Sequence, residues 1–336
     1  MPQHSKNKGR APLSRDVQVS KALSTLLRHA AEKEGLKMDS QGYANLADVL
    51  AWNRLKSLKA TFSEVIDSVA NNEKKRFALL HIPSAKAALS SDASTPATTE
   101  STSHTTSEEA SSSISDSAVP TTNAGQETAT QTALEAARSD TTPAHFLIRA
   151  TQGHSMKSVE AAAFLEKLTL EDESKLPTTV VHGTFHPAWP AILASGGLRS
   201  MGRNQIHFAS GPSLDEALAQ LTSANNQPRT EGSGVISGMR RDAQVLIYID
   251  LRRALAAGCP FWRSENGVIL SEGMAQGDGE AMTVPVEFFD VVVERKRGLG
   301  KIWEAGQVIQ DLPAELTQKG HPKGKRMGSE RGRTKG

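Results

Sequence analysis

The chain has 336 residues, of which 38% are hydrophobic and 4% aromatic, with a formal net charge of +2 and a single cysteine. The length suits two domains, and the lean apolar content implies that part of the chain joins no core. The lone Cys259 excludes an intrachain disulfide framework and a zinc site built on cysteines, and no run approaches the roughly 20 apolar residues of a membrane span.

The polar first ten residues lack the apolar segment of a secretory signal, so the chain reads as intracellular, in cytoplasm or nucleus. Leu23, Leu26, Leu27 and Ala30 recur at helical spacing and predict a helix that starts near Asp16 and stops near Gly35. Arg28 and His29 fall off that apolar stripe, which turns them toward solvent or a ligand. Two further helices are expected over 45–53 and 61–71, and strands over 75–80 and 146–149. Between those strands, 83–143 is dominated by Ser, Thr and Ala. Such a segment buries too little apolar surface to offset its ordering entropy, so it is expected to be a disordered insertion. Its flanking strands suggest that it lengthens a hairpin loop, because closure entropy grows only logarithmically with length. Three helices and a hairpin are the ingredients of a winged-helix-like lobe over 14–82 and 144–160.

Beyond residue 178 the pattern changes to short strands, at 180–182, 206–208, 245–249, 267–270 and 288–293, with helices over 187–195 and 213–222. Gly196-Gly197 supplies the stop for the first of these helices. The elements do not alternate regularly, so a doubly wound sheet is not expected; the fold class is α+β. Residues 313–336, rich in Lys, Arg and Gly, are expected to be a flexible basic tail.

Several polar positions could carry chemistry. Arg28-His29 is by default a solvated helix face, but Arg also offers a planar fork suited to phosphate oxygens, and His can move a proton near neutral pH. Arg149, followed by Gln152-Gly153-His154-Ser155, is either a polar turn after a strand or a second phosphate ligand set. His182-Gly183-Thr184 stands where an apolar strand meets glycine, which opens space beside the backbone for an amide or a ribose hydroxyl. Arg203 precedes a strand that contains His207, and Asn266-Gly267 is a favourable turn ahead of Val268. No Gly-rich dinucleotide fingerprint, Walker loop, metalloprotease or zinc-deaminase spacing competes. A metal-free reaction carried by basic residues is the simplest chemistry.

Taken in order, Leu26-Leu27-Arg28-His29, Ala150-Thr151-Gln152-Gly153-His154-Ser155, Val181-His182-Gly183-Thr184, Met201-Gly202-Arg203 and Phe261-Trp262-Arg263-Ser264-Glu265-Asn266-Gly267-Val268 resemble the RNA 2′-phosphotransferase family. The likeness spans about 14–80 and 145–293 and includes Asn53-Arg54-Leu55-Lys56. Gln205 stands where family members often carry His, while His207 is kept. The resemblance implies a winged-helix-like RNA-binding lobe and an ADP-ribosyltransferase-like lobe over 175–312 that binds NAD as co-substrate, without metal. It implies removal of the splice-junction 2′-phosphate of ligated tRNA, through an ADP-ribosylated RNA, to give ADP-ribose 1″,2″-cyclic phosphate and nicotinamide. By resemblance Arg28, His29 and Arg149 hold the RNA 2′-phosphate, with His154 and Ser155 beside them. Arg203 acts on the second step or on the same phosphate. His182, Gly183 and Thr184 bind NAD, with His207, Asn266 and Val268 at later positions of that fold's signature. Many mono-ADP-ribosyltransferases place a Glu where Val268 falls; a substrate that is already an anion needs no such base.

Lys56, Lys59, Lys74, Lys75, Arg76 and the tail are the expected contacts to tRNA phosphates, and the chain is expected to be a monomer. The alternatives are an ADP-ribosyltransferase that caps terminal phosphates of nucleic acid and stops there, and a catalytically silent RNA-binding module. Protein ADP-ribosylation fits the basic cluster less well.

Overall fold

The computed structural model describes residues 13–83, 123–160, 164–222, 238–240, 242–275 and 282–318. The chain divides into two compact units, Met1–Glu166 and Lys167–Gly336. It is a mixed α+β protein with several small antiparallel sheets.

In the first unit, α1 (Arg15–Thr25) buries Val19, Ala22 and Leu23 at helical spacing. It then widens into a π turn, Leu26–Ala30, in which the Ala31 amide donates to the Leu26 carbonyl at 3.0 Å. Each residue of a π turn rotates less about the axis than an α residue, so the register drifts. Arg28 therefore swings inward and is only 9% exposed, while His29 stays exposed. This corrects the expectation that both residues leave the apolar face.

A short strand β1 (Ala44–Asn45) leads into α2 (Leu46–Ala51), capped by the Asn45 side chain, which accepts from the Ala47 amide. The helix expected over 45–53 breaks at Trp52, whose backbone is extended, and resumes as α3 (Asn53–Ser57). The Trp52 indole N–H donates to Glu34 at 3.0 Å. Thr61 and Glu64 form a capping box on α4 (Phe62–Ala70). Strands β2 (Phe77–His81) and β3 (Phe146–Ala150) pair antiparallel, in a sheet of order β1-β3-β2. The long insertion thus occupies the loop of a hairpin.

Part of that insertion is ordered, contrary to expectation. Helix α5 (Asn123–Ala136) lies against β2. Gln126, Thr130 and Ala133, at helical spacing, are all buried. The Thr130 hydroxyl accepts from the Leu79 amide at 3.3 Å, and Ala133 joins the core of Leu23, Leu27, Leu79 and Ile148. A face of small and polar residues docks through close approach and hydrogen bonds, so it carries almost no hydrophobic signal. Residues 84–122 lie outside the described residues.

Strand β4 (Glu166–Leu168) starts on the last residue of the first unit, and the second unit continues with β5 (Val181–Thr184), α6 (Trp189–Ala194), β6 (Gly197–Arg199), β7 (Ile206–Phe208) and α7 (Leu214–Thr222). There follow β8 (Val245–Ile249), α8 (Leu251–Ala256), β9 (Phe261–Arg263), β10 (Ile269–Ser271), β11 (Met274–Ala275) and β12 (Met282–Pro285). Strands β13 (Phe289–Glu294), β14 (Gly300–Glu304) and β15 (Gln307–Val308), then α9 (Ala314–Thr317), complete it. Three sheets result, of orders β15-β14-β13-β8-β5, β4-β9-β10-β7 and β11-β12-β6. Every residue of β8 is buried, as its unbroken apolar run demands. Its two faces serve different cores, Val245 and Ile247 packing with Phe208 and Phe261, and Leu246 and Tyr248 with Met239 and Val181. Helix α9 falls inside the tail expected over 313–336 and buries Leu316; residues 319–336 lie outside the described residues. No described helix is long and apolar enough to cross a membrane.

Candidate active site

The first unit gathers five of the predicted residues. The loop after β3 docks on the π turn, where the Ser155 amide donates to the Arg28 carbonyl at 2.9 Å. His29 Nδ1 lies 2.9 Å from Ser155 Oγ. Gly153, at φ +86°, makes the left-handed turn that brings His154 inward. His154 is 2% exposed, its ring edge-on to Phe164 at 6.0 Å. Neither of its ring nitrogens has a hydrogen-bond partner among the described residues. Burial, then the charges of Arg28, Arg149 and His29, push its pKa down to about 3, so it is a neutral imidazole at neutral pH.

Arg149 projects from β3 and is 1% exposed. Its guanidinium lies over two rings, 4.1 Å from the centroid of Phe164 and 4.9 Å from that of Tyr43. One terminal nitrogen donates to Gln126 Oε1, the other points at the Gln41 carbonyl at 3.4 Å, and Nε has no partner among the described residues. Its recorded partners are therefore all neutral. A buried cation is usually met by a carboxylate. Here neutral groups hold it, beside a second buried arginine and a neutral histidine. Chemically, a cluster of this kind suits an anion such as a phosphate, which offers several acceptor oxygens.

Gln126 is the contributor that sequence reasoning missed. It lies on α5, inside the segment expected to be disordered, and is 2% exposed. Its signal was faint: Gln126, Thr130 and Ala133 recur at helical spacing within a Ser/Thr/Ala-rich background.

The second unit holds the remaining predicted residues. The Nδ1–H of His182 donates to the His207 carbonyl at 2.9 Å, which fixes the tautomer and leaves Nε2 as an acceptor. Burial lowers its pKa further than that hydrogen bond raises it, so it too is neutral. His207 Nδ1 lies 3.0 Å from the Gln205 carbonyl. Strand β5 is the last strand of its sheet, and Val181 bonds Ala209 across its outer edge at 2.9 Å in both directions. By strand alternation the backbone groups of Gly183 face the same outer edge. A Cβ on Gly183 would lie 2.4 Å from Met239 Cγ and 2.9 Å from Ala243 Cβ, so only glycine fits. Thr184 ends the strand, and its carbonyl accepts from the Gln244 amide at 2.7 Å.

Arg203 lies in the exposed turn before β7. Packing around its guanidinium and the nearby charge of Arg240 lower its pKa from the usual arginine value. The Arg240 guanidinium stands 5.6 Å over the Phe185 ring. Asn266 forms the β9–β10 turn, where Ser264 Oγ donates to its Oδ1 at 2.7 Å. Val268 is fully buried, so it shapes this region from beneath instead of presenting a surface. Among the described residues no group of His, Cys, Asp and Glu has the arrangement of a metal site.

Of the expected RNA contacts, Lys56 and Lys59 are exposed, Lys75 pairs with Glu127, and half-buried Arg76 donates to Asn72 at 3.0 Å.

A family model described as RNA 2′-phosphotransferase, Tpt1 / KptA family, matches residues 14–273. The chain is 35% identical to tRNA 2′-phosphotransferase 1 of Bos taurus over 263 residues, covering 78% of this chain and 71% of that protein. It is 33% identical to tRNA 2′-phosphotransferase 1 of Homo sapiens over 263 residues, covering 78% and 72%. It is 30% identical to tRNA 2′-phosphotransferase of Saccharomyces cerevisiae over 280 residues, covering 83% and 84%. With a match that runs from α1 to the strands of the second unit and takes in every basic residue of the cluster, the chain belongs to the RNA 2′-phosphotransferase family.

Proposed function

We propose that this protein removes the internal 2′-phosphate of ligated tRNA by transferring it to NAD, leaving a 2′-hydroxyl and releasing ADP-ribose 1″,2″-cyclic phosphate and nicotinamide. The observation that carries this reading is the buried basic cluster, in which, among the described residues, Arg149 meets only neutral groups and both nitrogens of His154 are unsatisfied. A 2′-phosphate supplies the missing acceptors. Arg28 and Arg149 hold its oxygens, His154 donates one N–H, and His29 with Ser155 closes the exposed side. We read the first unit as a winged-helix-like RNA-binding lobe and the second as an ADP-ribosyltransferase-like lobe.

NAD supplies an anomeric carbon with a neutral leaving group, so an anionic nucleophile needs no general base. The neutral Nε2 of His182 and the Thr184 hydroxyl suit ribose hydroxyls, and the edge of β5 at Gly183 suits a carboxamide. His207 orients His182 through its carbonyl; Asn266 and Val268 shape the neighbouring hairpin. Arg203, beside Arg240, stabilises charge on phosphorus. The buried arginines position the phosphate, a multiply charged anion that water would otherwise screen. Lys56 and Lys59 contribute sequence-independent contacts to the RNA backbone.

The test is a short RNA with one internal 2′-phosphate, incubated with and without NAD in chelator, with wild type beside Arg149→Ala. NAD-dependent loss of the 2′-phosphate with a cyclic-phosphate coproduct, abolished by the substitution, is expected. Accumulated ADP-ribosylated RNA would instead identify a capping transferase. Absence of NAD consumption by folded protein would leave an RNA-binding module.

A further inference from the structure

We infer that Gln126, carried on the insertion helix α5, is a positioning residue that sets the Arg149 guanidinium for the RNA 2′-phosphate. This rests on the proposed function of the same cluster.

Gln126 is held at both ends of its amide. Its Nε2 donates to the Phe164 carbonyl at 3.0 Å, and its Oε1 accepts from Arg149. A carbonyl can only accept, so the bond to Phe164 fixes which end of the amide faces the arginine. Phe164 is also the ring beneath the guanidinium at 4.1 Å. One residue thus supplies the stacking face and anchors the glutamine that sets rotation within that face. The three nitrogens of Arg149 then divide cleanly, with Gln126 taking one terminal N–H, the Gln41 carbonyl lying near the other, and Nε left for a ligand.

The choice of glutamine follows from charge. A glutamate could make the same bond to Arg149, but it would cancel the charge that draws a phosphate and would face the Phe164 carbonyl with an acceptor. Glutamine fixes the guanidinium and leaves its full charge uncompensated. Docking of α5 makes this possible, since the bond between the Thr130 hydroxyl and the Leu79 amide and the packing of Ala133 hold the same helix face on β2. The insertion therefore contributes a side chain to the cluster instead of only lengthening a loop.

The experiment measures steady-state kinetics of the full-length chain, varying 2′-phosphorylated RNA and NAD separately. Gln126→Ala is expected to raise KM for the RNA about tenfold, the cost of about one buried hydrogen bond, with KM for NAD unchanged. Gln126→Glu, which restores an acceptor to Arg149, is expected to match or exceed that loss without melting lower than Gln126→Ala. Thr130→Val, which weakens docking without touching Arg149, is expected to lower the melting temperature and leave both KM values in place. A wild-type KM for RNA in Gln126→Ala, or the same RNA-specific loss in Thr130→Val, overturns the inference. If wild type does not remove the 2′-phosphate, the proposed function fails, and inorganic phosphate tests the inference by itself. Phosphate should then raise the melting temperature of wild type but not of Gln126→Ala; equal shifts, or none in wild type, overturn it.

Discussion

Acidification should destabilise the first unit through His154. In the folded chain this imidazole has a pKa of about 3, because it is buried beside Arg28 and Arg149. In the unfolded chain it returns to about 6.5. Between those values the unfolded state binds one more proton than the folded state, so stability rises with pH across the window and is lost as pH falls through it. A single site with these constants removes about 0.2 kcal/mol at pH 7 and about 2 kcal/mol at pH 5. The wild type should therefore lose about 2 kcal/mol between those values that His154→Gln keeps. His182, whose pKa is also lowered, titrates in both proteins and cancels in the comparison. The lowered carboxylates Glu64 and Asp140 lose their contribution as pH falls through the ordinary carboxylate range toward their lowered values, mostly beneath pH 5, and that loss is common to wild type and His154→Gln. The assay is amide hydrogen exchange of β2 and β3 in urea at pH 7, 6 and 5, which reports the first unit by itself. Buffers must lack phosphate and sulfate, since a bound anion would return the proton to His154. Parallel pH dependence in wild type and His154→Gln would refute the argument.

Three more outcomes follow from the same geometry. Arg149→Lys keeps the charge but loses the planar guanidinium that lies over Tyr43 and Phe164; NAD-dependent release of the 2′-phosphate should fall on the order of 100-fold. Gly183→Ala forces Met239 aside, because the added carbon would lie 2.4 Å from Met239 Cγ; titrations should show weaker NAD binding with unchanged affinity for phosphorylated RNA. Glu294→Gln should cost on the order of 2–3 kcal/mol in denaturant unfolding of the second unit. Buried Glu294 accepts from His186 at 2.8 Å and from the amides of Lys296, Arg297 and Leu299, and a glutamine would turn an N–H toward one of these donors. Burial raises the Glu294 pKa but these bonds together lower it further, so its share of stability is lost as pH falls through the ordinary carboxylate range toward the lowered value.

What the sequence alone determined is what depends on neighbours in the chain. The apolar stripe of α1, the capping box of α4, the unbroken run of β8 and the hairpin strands on either side of the insertion all follow from local periodicity and propensity. The order of the basic motifs along the chain was likewise enough to suggest the family. Tertiary structure alone decided how those basic residues are presented. The π turn brings Arg28 inside although its spacing places it off the apolar face. The neutral state of His154 comes from burial against Phe164 and from charges on other elements, which no pattern around residue 154 encodes. Helix α5 escaped notice because small and polar residues dock it, and Gln126 reaches Arg149 across 23 positions of sequence. Hydrophobic periodicity reports which face of a segment leaves water. Where a segment is held by hydrogen bonds and close approach to a partner distant in sequence, it leaves almost no trace in the order of its own residues.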